Sequence, residues 1–214
     1  MNGRPRSGAV RMGRMVLIAA AAITTSLGFS MPAQAQFSDG YKFLEAVRKK
    51  EGEKVESALS IPGSTIVNTR DVTSGDTALH IVTARRDLTW LQFLIGRGAN
   101  VNVRDGQGRT TLQLATNLGW RDGVDALLAK KANTEVANDA GETPLIAAVH
   151  RRDLEMTRLL LRAGADPDRA DNSGRSARAY ASVDSQSSAV LEAIKTETKP
   201  GAGKANKPTY GPSL

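Results

Sequence analysis

Four glycines stand 33 residues apart along this chain, and this period constrains the fold more than any other feature. A hydroxyl residue two positions after each glycine, a small or apolar residue seven positions after it and an apolar pair farther on keep the same register. A unit of this length holds only short helices, none of which can bury an apolar side alone. The units must therefore stack and share a core, as in a solenoid. The glycines are Gly75, Gly108, Gly141 and Gly174.

One unit, read in detail, consists of two short helices and a turn. Thr143 can cap a helix through its side-chain oxygen and Pro144 suits the first helical position, so a first helix is predicted at residues 144–151. A second helix with one apolar side is predicted at residues 154–163. Gly164 can take the left-handed conformation that ends it, and the polar segment that follows predicts a hairpin-like loop.

These units resemble ankyrin repeats. Thr77-Ala78-Leu79-His80 is similar to the Thr-Pro-Leu-His start of the first helix in that family, and Gly98-Ala99-Asn100-Val101-Asn102 is similar to its loop signature. The resemblance implies an all-α ankyrin repeat solenoid of about five helix-turn-helix units, joined by β-hairpin-like loops and ending in divergent caps. The units are expected at about residues 40–71, 72–104, 105–137, 138–170 and 171–197. The residues of the structural motif are Thr77, Leu79, His80, Thr110, Leu112, Thr143, Pro144 and Leu145.

Several turn positions depart from the family pattern. Gly119 ends the first helix of one unit, whereas Arg86 and Arg152 occupy that position in its neighbours, and Lys131 replaces the loop glycine. A residue with a Cβ is strained at positive φ. The sequence leaves two alternatives open: these turns differ locally, or the chain tolerates the strain.

Two further features concern packing. Trp90 lies among apolar residues of a second helix and is expected in the core, while Trp120 opens the next second helix and is expected to be partly exposed. About three extra residues around Ile61 and Val72 break the period in the first unit. A terminal unit must turn a polar face to water, so such divergence is typical of a cap.

Both ends of the chain are predicted to lie outside the repeats. The first 35 residues combine four arginines, an apolar run and Ala33-Gln34-Ala35, which predicts a cleavable signal peptide of an exported bacterial protein, periplasmic or secreted. An uncleaved membrane anchor is the alternative, although Thr24 interrupts the apolar run. Residues 36–197 then form the repeat domain, and residues 198–214 are expected to be disordered.

The charges argue against nucleic acid as a partner. The formal net charge is +7, but the first 14 residues supply four Arg, and the segment from Lys195 onward supplies four Lys against one Glu. The charges between Gln36 and Ile194 therefore balance, and neither nucleic acid nor a membrane surface is expected to bind. The chain has no cysteine, so an exported form would depend on packing without disulfides.

Few residues could carry catalysis or hold a metal. With no cysteine and two histidines, thiol chemistry, a metal site and a cofactor are not expected. The resemblance implies that the His80 ring hydrogen-bonds loop backbone, and His150 is expected at a solvated helix end. An acid-base cluster of His150, Glu142 and Asp139 is the enzymatic alternative, and the least favoured one.

The resemblance also implies a binding surface. Hairpin tips and first helices line the concave side of such a stack, and in ankyrin proteins this side commonly holds a protein partner. Four arginines recur along it and suit the carboxylates of an acidic partner, although charged helix ends also serve solubility. The predicted partner-binding residues are Ala84, Arg85, Gln107, Arg109, Asn117, Leu118, Ala140, Glu142, His150, Arg151, Ser173 and Arg175.

The expected function is therefore protein binding without catalysis, by a chain expected to be monomeric. A more specific alternative is a periplasmic inhibitor or immunity protein, or an accessory factor of an enzyme such as one that acts against oxidative stress. The sequence does not separate these alternatives.

Overall fold

The computed structural model describes residues 38–198, which form ten α-helices in five consecutive pairs. The expected all-α solenoid is confirmed. The predicted signal peptide, and the predicted tail from residue 199 onward, lie outside the described residues. None of the described helices is long and apolar enough to cross a bilayer. They are α1 (Asp39–Lys49), α2 (Gly52–Leu59), α3 (Ala78–Ala84), α4 (Leu88–Gly96), α5 (Thr111–Asn117), α6 (Arg121–Ala129), α7 (Pro144–His150), α8 (Leu154–Arg162), α9 (Ala177–Val183) and α10 (Ser188–Glu197), with 3-10 turns at Ile66–Asn68 and Ser185–Ser187.

Side-chain caps determine where the helices begin. Thr143 Oγ1 accepts a hydrogen bond from the amide three residues later at 3.3 Å, and Pro144 occupies the first position of α7. Asp153 Oδ1 accepts the equivalent bond at 3.0 Å and starts α8. Both helices end one residue before their predicted ends, and Gly164 has a φ of +93°. The predicted helices are therefore confirmed to within one residue, since caps are local signals.

The core lies between two layers of helices that neighbouring units share. The first helices α1, α3, α5, α7 and α9 pack side by side in one layer, and in the other layer α4 packs against α6 and α8 against α10. Leucines from both layers are 0–1% exposed between them. Each unit is thus covered by its neighbours, which explains why the chain repeats. These leucines are Leu79, Leu112 and Leu145 in the first helices, and Leu94, Leu127 and Leu160 in the second helices.

The loops between units stack on one another through backbone hydrogen bonds. The Gly106 amide donates to the Ser74 carbonyl at 2.8 Å, and the Asn172 amide donates to the Ala140 carbonyl at 3.2 Å. A Cβ on Gly106 would lie 2.5 Å from the Ser74 oxygen, so this contact requires glycine. Val72, which breaks the period in the first loop, is fully exposed. The main chain therefore holds the loop tips at fixed positions.

The turn positions that depart from the family pattern all adopt one left-handed conformation. The φ angle is +55° at Arg86, +64° at Gly119 and +54° at Arg152. At Lys131 it is +57°, against +93° at Gly164 one unit later. Of the two alternatives that the sequence left open, the turns keep the same conformation and the chain tolerates the strain.

Side chains at two of these turns bind the following unit. Arg86 Nη2 donates to the Leu118 carbonyl, directly after α5, at 2.6 Å, and Arg152 Nε donates to the Asp184 carboxylate at 2.7 Å. At Gly119 a Cβ would lie 2.6 Å from Arg151 Nη2, so glycine leaves room for this arginine. The left-handed arginines thus gain hydrogen bonds that offset their backbone strain.

The two tryptophans are placed opposite to the expectation. Trp120, expected to be partly exposed, is 7% exposed, whereas Trp90, expected in the core, is half-buried. The reason lies in Gly123, where a Cβ would fall 2.1 Å from the Trp120 ring. Glycine at this position lets the indole lie flat against α6. Trp90 instead packs edge-on against Phe93, with ring centroids 5.8 Å apart.

Candidate partner-binding face

The loop tips and the exposed side of the first helices form one surface, which we call the concave face. On each first helix the exposed side consists of a position near the middle and two positions at the C-terminal end, three and four residues later. Contacts join helix and loop, since the Tyr180 hydroxyl on α9 lies 3.3 Å from the Ser173 hydroxyl on a loop. Eight of the predicted residues are exposed on this face: Ala84, Gln107, Asn117, Ala140, His150, Arg151, Ser173 and Arg175. Leu118 is half-buried against the core.

Arg85 is engaged within the fold. Its Nη1 donates to the Val47 carbonyl at 2.6 Å, its Nε lies 3.3 Å from Asp87, and its guanidinium lies 5.3 Å from the Trp90 ring centre. Only 21% of the side chain is exposed. Arg85 therefore joins the first two units, and little of its charge is accessible from the concave face.

Arg109 is neutralised by a buried carboxylate on its own loop. Its Nε and Nη2 both lie 2.8 Å from Asp105 Oδ2, and the Asp105 side chain is 1% exposed. Burial alone would raise the pKa of Asp105, but hydrogen bonds from the amides of Arg109 and Gln107 and from the Arg109 guanidinium outweigh it and lower the pKa. Arg109 is thus needed to keep a buried charge paired.

Arg151 and Arg175 differ from these two arginines. Arg151 Nη1 donates to the Asn117 carbonyl at 2.9 Å, and the Arg175 guanidinium lies 5.0 Å above the Tyr180 ring. Both side chains belong to exposed residues. Within residues 38–198, neither guanidinium forms an ion pair with a carboxylate. Of the four recurrent arginines, two are therefore paired with carboxylates of the fold and two are not.

A polar cluster lies beside Arg175 and the Tyr180 ring. His150 Nδ1 lies 3.4 Å from Glu142 Oε1, and the His150 ring packs edge-on against Tyr180 at 4.4 Å. The Tyr180 hydroxyl donates to Asp171 at 2.7 Å. This bond and one from the Ser173 hydroxyl hold the pKa of Asp171 well below its usual range.

The possible acid-base cluster is brought together only in part. His150 and Glu142 are neighbours, but no contact in the described part of the chain joins the Asp139 carboxylate to either of them. Asp139 contacts the next loop through its backbone carbonyl, which accepts a hydrogen bond from Asn172 Nδ2 at 2.9 Å. Within the described residues, no group of His, Cys, Asp and Glu side chains is placed to hold a metal.

In two units a polar side chain on the first helix is hydrogen-bonded to the loop of the following unit. His80 Nε2 lies 3.1 Å from the Arg109 carbonyl, and Nδ1 lies 3.2 Å from the Thr77 amide. One unit later, Gln113 Oε1 accepts from the Thr110 amide at 2.9 Å, and its Nε2 donates to the next loop at 2.7 Å. Burial lowers the pKa of His80, so the ring is neutral at neutral pH. His80 thus makes the expected bond to loop backbone.

A column of residues at the centre of the concave face is absent from the predicted binding residues. Ile81, Leu114, Ala147 and Tyr180 each stand six positions after a repeat glycine, and three of the four are half-buried. They form the apolar floor between the loop tips and the helix ends. The 33-residue period indicates this column, because its members stand at the same distance from each repeat glycine. The predicted binding residues lie only at helix ends and loop tips.

A second surface lies on the second helices. A shallow cleft of about 560 Å³ runs between α6 and α8, with Leu128, Leu159 and Ala163 among its apolar lining residues. Its arginines are mostly paired with carboxylates, as Arg121 with Asp153 at 3.2 Å.

Comparison with known proteins identifies the repeat. The family model described as ankyrin repeats (3 copies) matches residues 43–138 and 121–199. The chain is 27% identical over 171 residues to the ANK repeat-containing protein nipk-1 of Caenorhabditis elegans, covering 73% of this chain and 26% of the relative. It is 32% identical over 138 residues to the B-cell lymphoma 3 protein homolog of Mus musculus, covering 62% of this chain and 30% of the relative.

A bacterial relative is also similar. The putative ankyrin repeat-containing protein of Treponema pallidum (strain Nichols) is 37% identical over 91 residues, which cover 42% of this chain and 30% of that protein. The chain thus spans less than a third of the length of these three relatives. Ankyrin repeats mediate protein–protein interaction, and proteins of the family are typically interaction modules without enzymatic activity. Because the family model covers most of the chain and the fold agrees with it, the protein belongs to the ankyrin repeat family.

Proposed function

We infer that this chain binds a partner protein through the concave face and catalyses no reaction itself. The observation that carries this inference is the row of accessible side chains on the first helices and loop tips, around the half-buried column of Ile81, Leu114 and Tyr180. Interfaces combine such an apolar centre with a polar rim.

The scaffold beneath this face supports the inference. Stacked loops and the bonds of His80 and Gln113 hold neighbouring units in register. Few groups must therefore be ordered on association, and little binding free energy is lost to folding. A rigid presenting surface is what a binding module requires.

A pair of matched variants tests this function. Ala84 and Ala140 are exposed on the concave face, and Ala129 and Ala163 are exposed on the second helices. Replacing either pair by tryptophan adds two bulky side chains and no charge. In affinity purification from the source cells, Ala84→Trp with Ala140→Trp should lower recovery of the partner about tenfold, and the other pair should not. Equal recovery with both double variants, or loss only with the second, would overturn the proposal.

The proposed site of action is the periplasm or the cell exterior. The basic start, the apolar run and Ala33-Gln34-Ala35 support export with cleavage before Gln36. N-terminal sequencing of the protein recovered from the source cells tests this. A start at Gln36 in an osmotic-shock fraction is expected, and a full-length form in the membrane fraction would instead indicate an uncleaved anchor.

A further inference from the structure

We propose that the C-terminal end of the concave face binds carboxylate groups of an acidic segment of the partner protein, with Arg151 and Arg175 as the carboxylate-binding residues. We name this surface the arginine patch and define it as His150, Arg151, Arg175 and Tyr180. The inference rests on the proposed function, since it gives the chemistry of the partner bound at the same face.

The four recurrent arginines differ in how their guanidinium groups are used within the fold. Arg85 and Arg109 already donate to groups of the fold, and Asp105 neutralises Arg109 in a buried pair. Arg151 uses one nitrogen on a backbone carbonyl, and the contact made by the Arg175 guanidinium is with an aromatic face. The charge available to a partner is therefore concentrated at one end of the face.

Two carboxylates beside the patch already accept hydrogen bonds. The Asp171 carboxylate accepts from the amides of Ser173 and Arg175, from the Ser173 hydroxyl and from the Tyr180 hydroxyl, at 2.7–3.1 Å. Glu142 lies against His150 and accepts from Asn138 Nδ2 at 3.1 Å. The Asp171 and Glu142 carboxylates beside the patch thus already accept hydrogen bonds from donors of the fold itself.

The donors of the patch are not occupied in the same way. A guanidinium has five N–H groups and no acceptor, and it binds a carboxylate through two parallel bonds. Within the described residues the Arg175 guanidinium makes no hydrogen bond or ion pair, and it lies over the Tyr180 ring, which favours a cation at this position. A surface with free donors and occupied acceptors fits a ligand that only accepts, and ionised Asp and Glu side chains are such ligands.

The other units in the described part of the chain lack this arrangement. The position of Tyr180 is held by Ile81, Leu114 and Ala147 in the other units, which offer no hydroxyl to an aspartate. At the Leu114 unit the loop arginine turns inward to Asp105 instead. The aromatic side chain at this one position therefore accounts for the exposed arginine.

The test uses the purified protein and a fluorescein-labelled hexaglutamate peptide, with binding measured by fluorescence anisotropy near physiological salt. Arg151→Gln with Arg175→Gln should weaken binding about tenfold. Arg121→Gln with Arg158→Gln removes the same charge from the second helices and is the matched control, expected to bind as the wild type does. Equal weakening in both double variants would mean attraction by net charge alone and would overturn the proposal, as would a failure of the wild type to bind the peptide.

Two additional arms sharpen the result. Arg151→Lys with Arg175→Lys keeps the charge but loses the planar fork, and intermediate affinity is expected. A phosphoserine peptide of equal net charge should bind no more tightly than hexaglutamate, and tighter binding through the same arginines would refute the assignment to carboxylates. If the glutamine variant still recovers the partner that the Ala84 and Ala140 variant loses, the acidic chemistry is wrong while the proposed function stands.

Discussion

Replacing Lys131 with glycine is expected to stabilise the protein, although it removes a side chain. Lys131 has a φ of +57°, and left-handed backbone costs an L-residue roughly 1–2 kcal/mol. Glycine removes this cost but adds about 0.5–1 kcal/mol of conformational freedom to the unfolded chain. The exposed Lys131 side chain makes no hydrogen bond or ion pair within the described residues. The net expectation is a gain of about 0.5–1 kcal/mol, or a rise in Tm of roughly 1–4 °C.

The neighbouring lysine provides the control. Lys130 is exposed and has a φ of −100°, so Lys130→Gly removes the same charge without relieving strain and should cost about 0.5–1 kcal/mol. Lys131→Ala, which keeps the strain, should leave stability close to that of the wild type. Urea unfolding followed by circular dichroism measures all three variants. If Lys131→Gly and Lys130→Gly both lose stability by similar amounts, the cost assigned to the left-handed turn is wrong.

Two further predictions concern the contacts between units. Burial depresses the pKa of His80 below the ordinary 6.5, so the unfolded chain takes up the proton first and stability falls as pH drops from about 6.5 toward the folded-state pKa. His80→Gln introduces the residue that Gln113 provides one unit later and should keep the hydrogen bonds. The variant should therefore lose less stability than the wild type between about pH 7 and pH 5. Urea unfolding with the same pH dependence in both proteins would contradict this. Gly106→Ala should cost about 1–3 kcal/mol of stability because its Cβ would press on the Ser74 carbonyl. Gly96→Ala should not destabilise the protein, since a Cβ there would meet no atom within 4 Å. Equal Tm values for the two variants would refute the close approach at Gly106.

The helices could be predicted because their signals are local. A threonine cap, a proline at the first position and a glycine at the end mark the unit near Pro144, and its helices end within one residue of the prediction. The period then places equivalent helices in the other units. Arg86 and Arg152 stand at the position of Gly119 and keep its left-handed conformation, and their side chains bind the next unit. Repetition fixes the shape of each unit more firmly than any single residue does.

The orientation of long side chains could not be predicted in the same way. Trp120 opens a second helix, at the position where Asp87 and Asp153 cap two others. A residue at the start of a helix is expected to be partly exposed. The burial of Trp120 depends on the missing side chain of Gly123. A column-by-column comparison shows which residue is unusual, but it does not show which space the unusual side chain can fill.

The arginines show why local spacing alone is insufficient for the binding face. Asp105 and Arg109 have the same separation as Asp171 and Arg175, and both aspartates start a loop of the same length. In the first pair the arginine turns inward to the carboxylate, while in the second the Tyr180 hydroxyl occupies that carboxylate and the arginine lies on the ring. The deciding residue is on the following helix, several residues beyond the loop. One substitution in a central column therefore redistributes charge on the surface, and a stack of nearly identical units acquires one end that differs from the other.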